Sequence, residues 1–231
     1  PMALFIDAFV LGEGEEVVVE LADLVRTWKR ERAPREQRLR DLLRVPGVYV
    51  PAFYEARYDD AGHFLALEPL VPEAPRVIRR RIVEKLPPPL VKPIVPFLQT
   101  VHDRAAVEIQ RGCTQGCRFC QAGMIYRPTR ERSPEEVVQA AADLMANTGY
   151  DELSLLSLST TDHSEIVPMV QMLTERFANL KVSLPSTRVD TFSVDVANAI
   201  AKGKKHTLTL APEAGSQRLR NAINKLVSDA D

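Results

Sequence analysis

From about residue 105 to its end the chain alternates short apolar segments of strand length with longer segments of helical periodicity, and it does so four times. Val107 to Gln110 opens the series as a strand, and Ser133-Pro134-Glu135-Glu136 then reads as a capping box with proline at the first helical position. The helix it starts turns Val137, Val138, Ala141, Leu144 and Met145 inward and stops at Gly149. Leu153 to Leu158 is the next strand, followed by a helix through Ile166, Val170, Leu173 and Phe177. Val182 to Leu184 and a helix marked by Val194, Ala197 and Ile200, ended by Gly203, form the third unit. Thr207 to Leu210 and a helix through Leu219 and Ile223 form the fourth. Strands separated by helices pair in parallel, so an α/β fold follows, doubly wound or barrel-like. A closed barrel needs more strands than four, which predicts a chain cut from a longer protein.

The first hundred residues do not follow this pattern. Leu4 to Leu11 reads as a buried strand, Gly12-Glu13-Gly14 as a turn, and the next segment as a helix with Val17, Val18, Leu21, Leu24, Val25 and Trp28 on one face. Residues 34–44 add a short helix through Leu39, Leu42 and Leu43. One strand and its helix cannot bury both their faces, so residues 1–44 are expected to be the remnant of an α/β domain. In 45–104, Val48-Tyr49-Val50 and Phe53 to Tyr58 resemble short strands, with a hairpin turn at Asp59-Asp60-Ala61-Gly62. Pro87-Pro88-Pro89, Pro93 and Pro96 then predict a stiff, extended connector.

All three cysteines, Cys113, Cys117 and Cys120, fall within eight residues directly after the first strand of the alternating series. An odd number in one short loop does not suggest a disulfide framework and points to ligands of one metal centre in a reducing compartment. In parallel βα folds the chemistry gathers at the C-terminal ends of strands, which is where this loop falls. Arg111, Arg118, Arg127, Arg130 and Arg132 surround it with Glu131 as the one acid between Ile109 and Arg132. Such an excess favours thiolates and offers donors to an anion. The net charge of −1 gives no clear nucleic-acid signal, the sequence has no apolar run of membrane length, and its first residues lack the basic and apolar regions expected of a signal peptide. A cytoplasmic protein is expected.

The segment Cys113-Thr114-Gln115-Gly116-Cys117-Arg118-Phe119-Cys120 resembles the signature of the radical S-adenosylmethionine (SAM) superfamily, C-x3-C-x-aromatic-C, with Phe119 as the aromatic. The resemblance spans about residues 105–231 and implies the first four units of a truncated (β/α) barrel, a partial TIM barrel of that family's type. It implies a [4Fe–4S] cluster held by Cys113, Cys117 and Cys120, with one iron left open for SAM and Phe119 beside the adenine. Reductive cleavage of SAM to a 5′-deoxyadenosyl radical and hydrogen abstraction from an unknown substrate would follow, with an electron donor such as ferredoxin or flavodoxin as partner. Many relatives place a Gly-Gly-Glu-like stretch after the second strand; this chain has Ser157-Leu158-Ser159-Thr160-Thr161-Asp162, which makes Ser157 and Ser159 the SAM candidates there. Arg188 after the third strand would pair with the SAM carboxylate, unless it pairs with Asp190. Glu213, in Glu213-Ala214-Gly215-Ser216, resembles a Glu-x-Gly-Ser motif that meets the SAM amino or ribose groups, and Ser216 caps the next helix.

Gly12-Glu13-Gly14-Glu15-Glu16 looks like the end of the cobalamin-binding-type domain that precedes the barrel in one branch. Cobalamin would then concern only the parent protein, since this chain lacks the loop that carries a cobalamin-ligating histidine. Two alternatives stand beside this reading: a non-catalytic scaffold stapled by a metal, and a zinc-binding interaction module completed by a histidine such as His102.

Overall fold

A computed structural model describes residues 2–98, 100–191, 194–201 and 210–229. The chain forms two compact units, Pro1–Glu84 and Lys85–Asp231.

In the first unit the strand expected over 4–11 shrinks to β1 (Phe9–Val10), which pairs antiparallel with β2 (Val48–Tyr49). Extending the Phe9↔Tyr49 register by two residues would bring Asp7 opposite Pro51, which has no N–H for the ladder and instead begins a 3₁₀ turn. Leu4 and Phe5 are correspondingly exposed, and Met2–Leu4 is a 3₁₀ turn. Helix α1 (Val17–Glu31) packs along Val17, Leu21, Leu24 and Trp28, a stripe at i, i+4, i+7 and i+11. Val18 and Val25, expected on that face, flank it and are exposed. Helix α2 (Arg35–Leu42) buries Leu39 and Leu42, and the indole Nε1 of Trp28 donates to Asp41 Oδ2 at 2.9 Å.

Strands β3 (Tyr54–Tyr58) and β4 (Phe64–Pro69) form the expected hairpin. Its turn is organised by Asp59 Oδ1, which accepts from the N–H groups of Ala61 (3.0 Å) and His63 (2.7 Å). One hydrophobic cluster takes Val17, Leu39 and Leu42 together with Val45, Val48, Val50, Phe53, Tyr54 and Ala74, so side chains from both sides of residue 44 share a core. The segment at Arg81 closes this unit. Arg81 N–H donates to Leu11 O at 2.8 Å, and its guanidinium meets Glu20 at 2.6 Å and Glu16 at 3.2 Å. Gly12 is required there: at φ 101° a Cβ would lie 2.1 Å from Arg81 O.

The second unit is built on three parallel strands in the order β5-β8-β9: β5 (Ala105–Glu108), β8 (Glu152–Leu156) and β9 (Lys181–Ser183). Helix α4 (Pro134–Thr148) links β5 to β8, and α5 (Ile166–Arg176) links β8 to β9. Both bury their apolar stripes in one cluster with Val107, Leu153, Leu155 and Val182. Ser133 Oγ caps α4 by accepting from Glu136 N–H at 3.2 Å, and Gly149 ends it in the left-handed conformation. The reciprocal half of the expected box is not made, because Arg132 takes the Glu136 carboxylate. In α6 (Val194–Ala201) the inward valine is Val196, and Val194 is exposed. Ser216 Oγ caps α7 (Gln217–Ala222) by accepting from Leu219 N–H at 3.3 Å; Arg220, not Leu219, is buried.

The fourth strand expected at 207–210 and the stop at Gly203 lie outside the described residues, except that Leu210 bridges Thr187 in parallel sense. The sheet is open among the described residues, with no closure into a barrel. The start of the proline-rich segment is held by the second unit: Pro87 O accepts from Arg132 Nη2 at 2.5 Å and Val91 O from Asn147 Nδ2 at 2.9 Å. No described helix is long and apolar enough to cross a membrane.

Candidate active site

The loop that follows β5 is closed at its base. Just beyond β5, strand β6 (Gln110–Arg111) pairs antiparallel with β7 (Arg130–Glu131), so residues 112–129 leave and rejoin the fold at one place. Gly112 makes this possible: at φ 89° a Cβ would lie 2.6 Å from Tyr126 O and 2.8 Å from Pro128 O. Cys113 is buried, while Cys117 and Cys120 are half-buried, and all three are free thiols. Backbone N–H groups face two of the sulfurs, Gln115 N at 3.5 Å from Cys113 Sγ and Gly123 N at 3.3 Å from Cys120 Sγ. Helix α3 (Ala122–Ile125) follows, and Phe119 stands 57% exposed with no core to fill.

The loops after β8 and β9 meet beside this one. Thr160 Oγ1 donates to Pro185 O, Thr160 N–H donates to Ser186 O at 3.2 Å, and Thr161 Oγ1 accepts from Arg188 N–H at 3.3 Å. Gln115 Nε2 of the cysteine loop donates to Asp162 Oδ2 at 2.7 Å. Ser157 Oγ is used locally, accepting from Ser159 N–H at 3.2 Å, whereas Ser159 Oγ is buried with no partner.

Arg188 is buried, with Nη2 2.5 Å from Asp190 Oδ2 and Nη1 3.9 Å from Cys117 Sγ. Burial opposes its charge; the hydrogen bond and charge of Asp190, with Asp162 and Cys117 behind them, hold its pKa above the ordinary arginine value.

Five buried side-chain polar atoms lack a partner among the described residues: Gln110 Oε1, Thr129 Oγ1, Ser159 Oγ, Arg188 Nε and Asp190 Oδ1. They belong to the two ends of the cysteine loop and to the loops after β8 and β9, at the C-terminal end of the parallel strands. Of the non-glycine residues with positive φ among the described residues, Ser186 lies on the loop after β9, Glu213 and Asn224 lie on either side of α7, and Arg32 is the C-cap of α1.

The arginines around the cysteines are builders of the loop. Arg111 grips Glu108 through two bonds of 2.8 and 2.9 Å, and Arg118 Nη1 donates to Ala222 O at 2.6 Å. Arg127 Nε donates to Cys113 O at 3.3 Å, and Arg130 Nε to Pro128 O at 3.2 Å. Arg132 is buried and ties Glu108 O, Pro87 O and Glu136 together. Asn224, which sequence reasoning missed, donates through Nδ2 to Gly116 O at 2.9 Å, and Ile223 O accepts from Arg118 N–H at 2.9 Å. Its neighbour Lys225 pairs with Glu213 at 3.2 Å, bringing that carboxylate to the segment that holds the cysteine loop. The signal for Asn224 is slight: asparagine tolerates the left-handed conformation it adopts just past α7.

Residues 107–230, more than half of the chain, match the family model described as the radical SAM superfamily. The chain belongs to the radical SAM superfamily. Residues 1–51 match a second model, described as the N-terminal region of radical SAM proteins. The chain is 35% identical over 125 residues to an uncharacterised protein of Methanocaldococcus jannaschii, covering 54% of this chain and 27% of that one. It is 32% identical over 114 residues to the threonylcarbamoyladenosine tRNA methylthiotransferase MtaB of Bacillus subtilis, covering 49% of this chain and 22% of that one. The chain thus spans about a quarter of the length of these curated relatives. Its fold is similar to that of the cobalamin-dependent SAM radical enzyme OxsB, solved with aqua-cobalamin and SAM, at a TM-score of 0.55 and 16% identity over 96% of this chain and 30% of that one.

The donor set of this radical SAM chain fits a cluster in kind, since three free thiols on one loop are the ligands iron–sulfur centres take. In arrangement, no group of three or more Cys, His, Asp or Glu among the described residues is drawn together as a metal site. His102, the candidate fourth zinc ligand, is exposed and lies 3.4 Å from Arg104.

Proposed function

We propose that the chain is the core of a radical SAM enzyme, in which Cys113, Cys117 and Cys120 ligate a [4Fe–4S] cluster and the adjoining C-terminal end of the parallel strands binds SAM. The observation that carries this is the gathering of unpartnered buried polar atoms at the cysteine loop and at the loops after β8 and β9. Buried polar groups in a finished protein are hydrogen-bonded, so five unmet atoms at one end of the sheet mark a surface whose partner is a polar ligand. When bound, the cluster supplies the electron that cleaves SAM to a 5′-deoxyadenosyl radical, which then takes hydrogen from the substrate.

The chain's own residues bind and orient. Ser159 Oγ offers an unused hydroxyl, and Arg188 Nε an unused donor for the SAM carboxylate. Ser157 shapes the turn that presents Ser159, and Glu213 accepts from the amino or ribose groups of SAM. Phe119, exposed beside Cys120, gives the adenine an aromatic face. A small acidic electron carrier of the ferredoxin or flavodoxin kind, in a cytoplasmic setting that keeps thiols reduced, completes this reading. The curated relatives suggest group transfer to tRNA as one downstream reaction, and cobalamin enters only for a longer parent chain.

The test is electron paramagnetic resonance on anaerobically reconstituted, dithionite-reduced protein with and without SAM. A four-iron signal that changes on adding SAM is expected. A cluster indifferent to SAM would leave a metal-stapled scaffold, and zinc in place of iron and sulfide would leave an interaction module.

A further inference from the structure

We infer that Arg188 is a positioning residue for the Cys117 sulfur, and that its guanidinium, held by Asp190, sets how readily a cluster on that sulfur accepts an electron. This rests on the cluster reading above and deepens it. Arg188 lies 71 residues beyond Cys117, on the loop after β9, and is brought to it by the parallel sheet. Its Nη1 stands 3.9 Å from Cys117 Sγ, at the long end of an N–H···S contact. Its Nη2 is fixed 2.5 Å from Asp190 Oδ2, and its side chain is 7% exposed.

Three features make the contact specific. Of the three sulfurs, Cys113 and Cys120 are faced by backbone N–H groups, and Cys117 by the charged side chain. Water is largely excluded from the guanidinium, so its field on the sulfur is weakly screened. The Asp190 carboxylate prevents rotation of the fork, and the backbone N–H of Arg188 is itself held by Thr161 Oγ1 at 3.3 Å. A hydrogen bond or positive charge at a cluster sulfur favours the more negative, reduced form. Arg188 therefore raises the reduction potential of the cluster, a role separate from any contact of its Nε with SAM.

The experiment is a redox titration of the reconstituted chain without SAM, monitored by electron paramagnetic resonance, alongside iron and sulfide analysis and circular dichroism. Two variants are compared with the unmodified chain: R188M, and the double substitution R188M with D190N, which removes the ion pair without changing net charge. Both are expected to retain iron and to shift the midpoint to more negative potential. At a fixed potential the ratio of reduced to oxidised cluster should fall by about tenfold, or ~59 mV for a one-electron couple. R188K, which keeps the charge but loses the fork, should fall between.

Should R188M fail to fold, the double variant reads the same donor, because a neutral pair leaves no buried charge unmatched. A double variant that holds its cluster at the unmodified midpoint overturns this inference and leaves the cluster reading standing. An unmodified chain that takes up no iron and sulfide overturns both.

Discussion

Each compact unit holds an arginine against carboxylates, half-buried Arg81 in the first and buried Arg188 in the second, and the two are used differently. Arg81 in the first unit is saturated by its own chain. It meets Glu20, Glu16 and Pro46 O, and the hydrogen bond it donates to Glu20 is the main cause holding its pKa above the ordinary arginine value. No buried polar side-chain atom of that unit is without a partner among the described residues. Arg188 in the second unit is better buried yet keeps Nε unmatched, next to an unmatched oxygen of Asp190 and within reach of Cys117. Unmet buried polar groups cost roughly 1–3 kcal/mol each, and the five found among the described residues all lie in the second unit. The first unit meets its buried polar side chains from within, among the described residues; on the proposed reading, the second is finished by its ligand.

The sharpest break of this contrast is Cys117→Ala. Loss of one of three thiolates should abolish cluster assembly while circular dichroism and melting stay near those of the unmodified chain, since Cys117 is half-buried and outside the hydrophobic cluster. Unchanged iron content in that variant would falsify the ligand assignment.

A matched pair of glycine substitutions sharpens it further. Gly12 and Gly112 both have positive φ and both lie against backbone that a Cβ would strike, at 2.1 Å from Arg81 O and 2.6 Å from Tyr126 O. Either alanine should cost at least the ~1–3 kcal/mol of a strained backbone position, read by denaturant unfolding. The consequences for the metal should part company: Gly112→Ala deforms the base of the cysteine loop and lowers iron uptake, whereas Gly12→Ala leaves uptake unchanged. Equal loss of iron in the two would remove the distinction between the units.

Arg81→Met tests the saturated arginine directly. Its bonds to Glu20 and Glu16 are charge-assisted but partly open to solvent, so a destabilisation of about 1.5–3 kcal/mol is expected at most. Iron content should be unaffected. A cluster signal that moves in Arg81→Met would tie the first unit to the site and undo the comparison.

What sequence could convey follows from range. The ends of α4, the hairpin turn at Asp59 and the cysteine spacing are local patterns, in which residues within four positions decide the outcome, and all three were legible. The extent of β1 was not, because it depends on Pro51 falling opposite Asp7 across the ladder. The inward valine of α6 was misplaced by two positions, since Val194 and Val196 are equally apolar and only the packed partner chooses between them. The role of Asn224 was invisible for a similar reason: it reaches Gly116 across 108 residues and carries no motif. Arginine density around the cysteines was plain to see, but five side chains bonded into the surrounding fold leave fewer open donors for an anion than their number suggests.

The smallest effect belongs to the first unit and to acid. Asp59 is held below the ordinary carboxyl value of 3.8, chiefly by the backbone N–H of His63, then by the His63 side chain, with the Ala61 and Gly62 N–H groups adding to it against a small cost of burial. A carboxylate whose folded pKa is depressed binds protons more readily when unfolded, so its stabilisation is complete above pH 3.8 and is lost as pH falls through the lower folded value. The β3–β4 hairpin should therefore loosen on acidification below that point, while Asp59→Asn, which keeps a side-chain acceptor but cannot titrate, should flatten this part of the pH dependence. Amide hydrogen exchange at Ala61 and His63 reads the turn itself. If protection there follows the same acid profile in both forms after correction for intrinsic exchange, the turn is held by its hairpin ladder and not by the charge, and even the finished unit would owe less to its ionised side chains than the contrast with the second unit supposes.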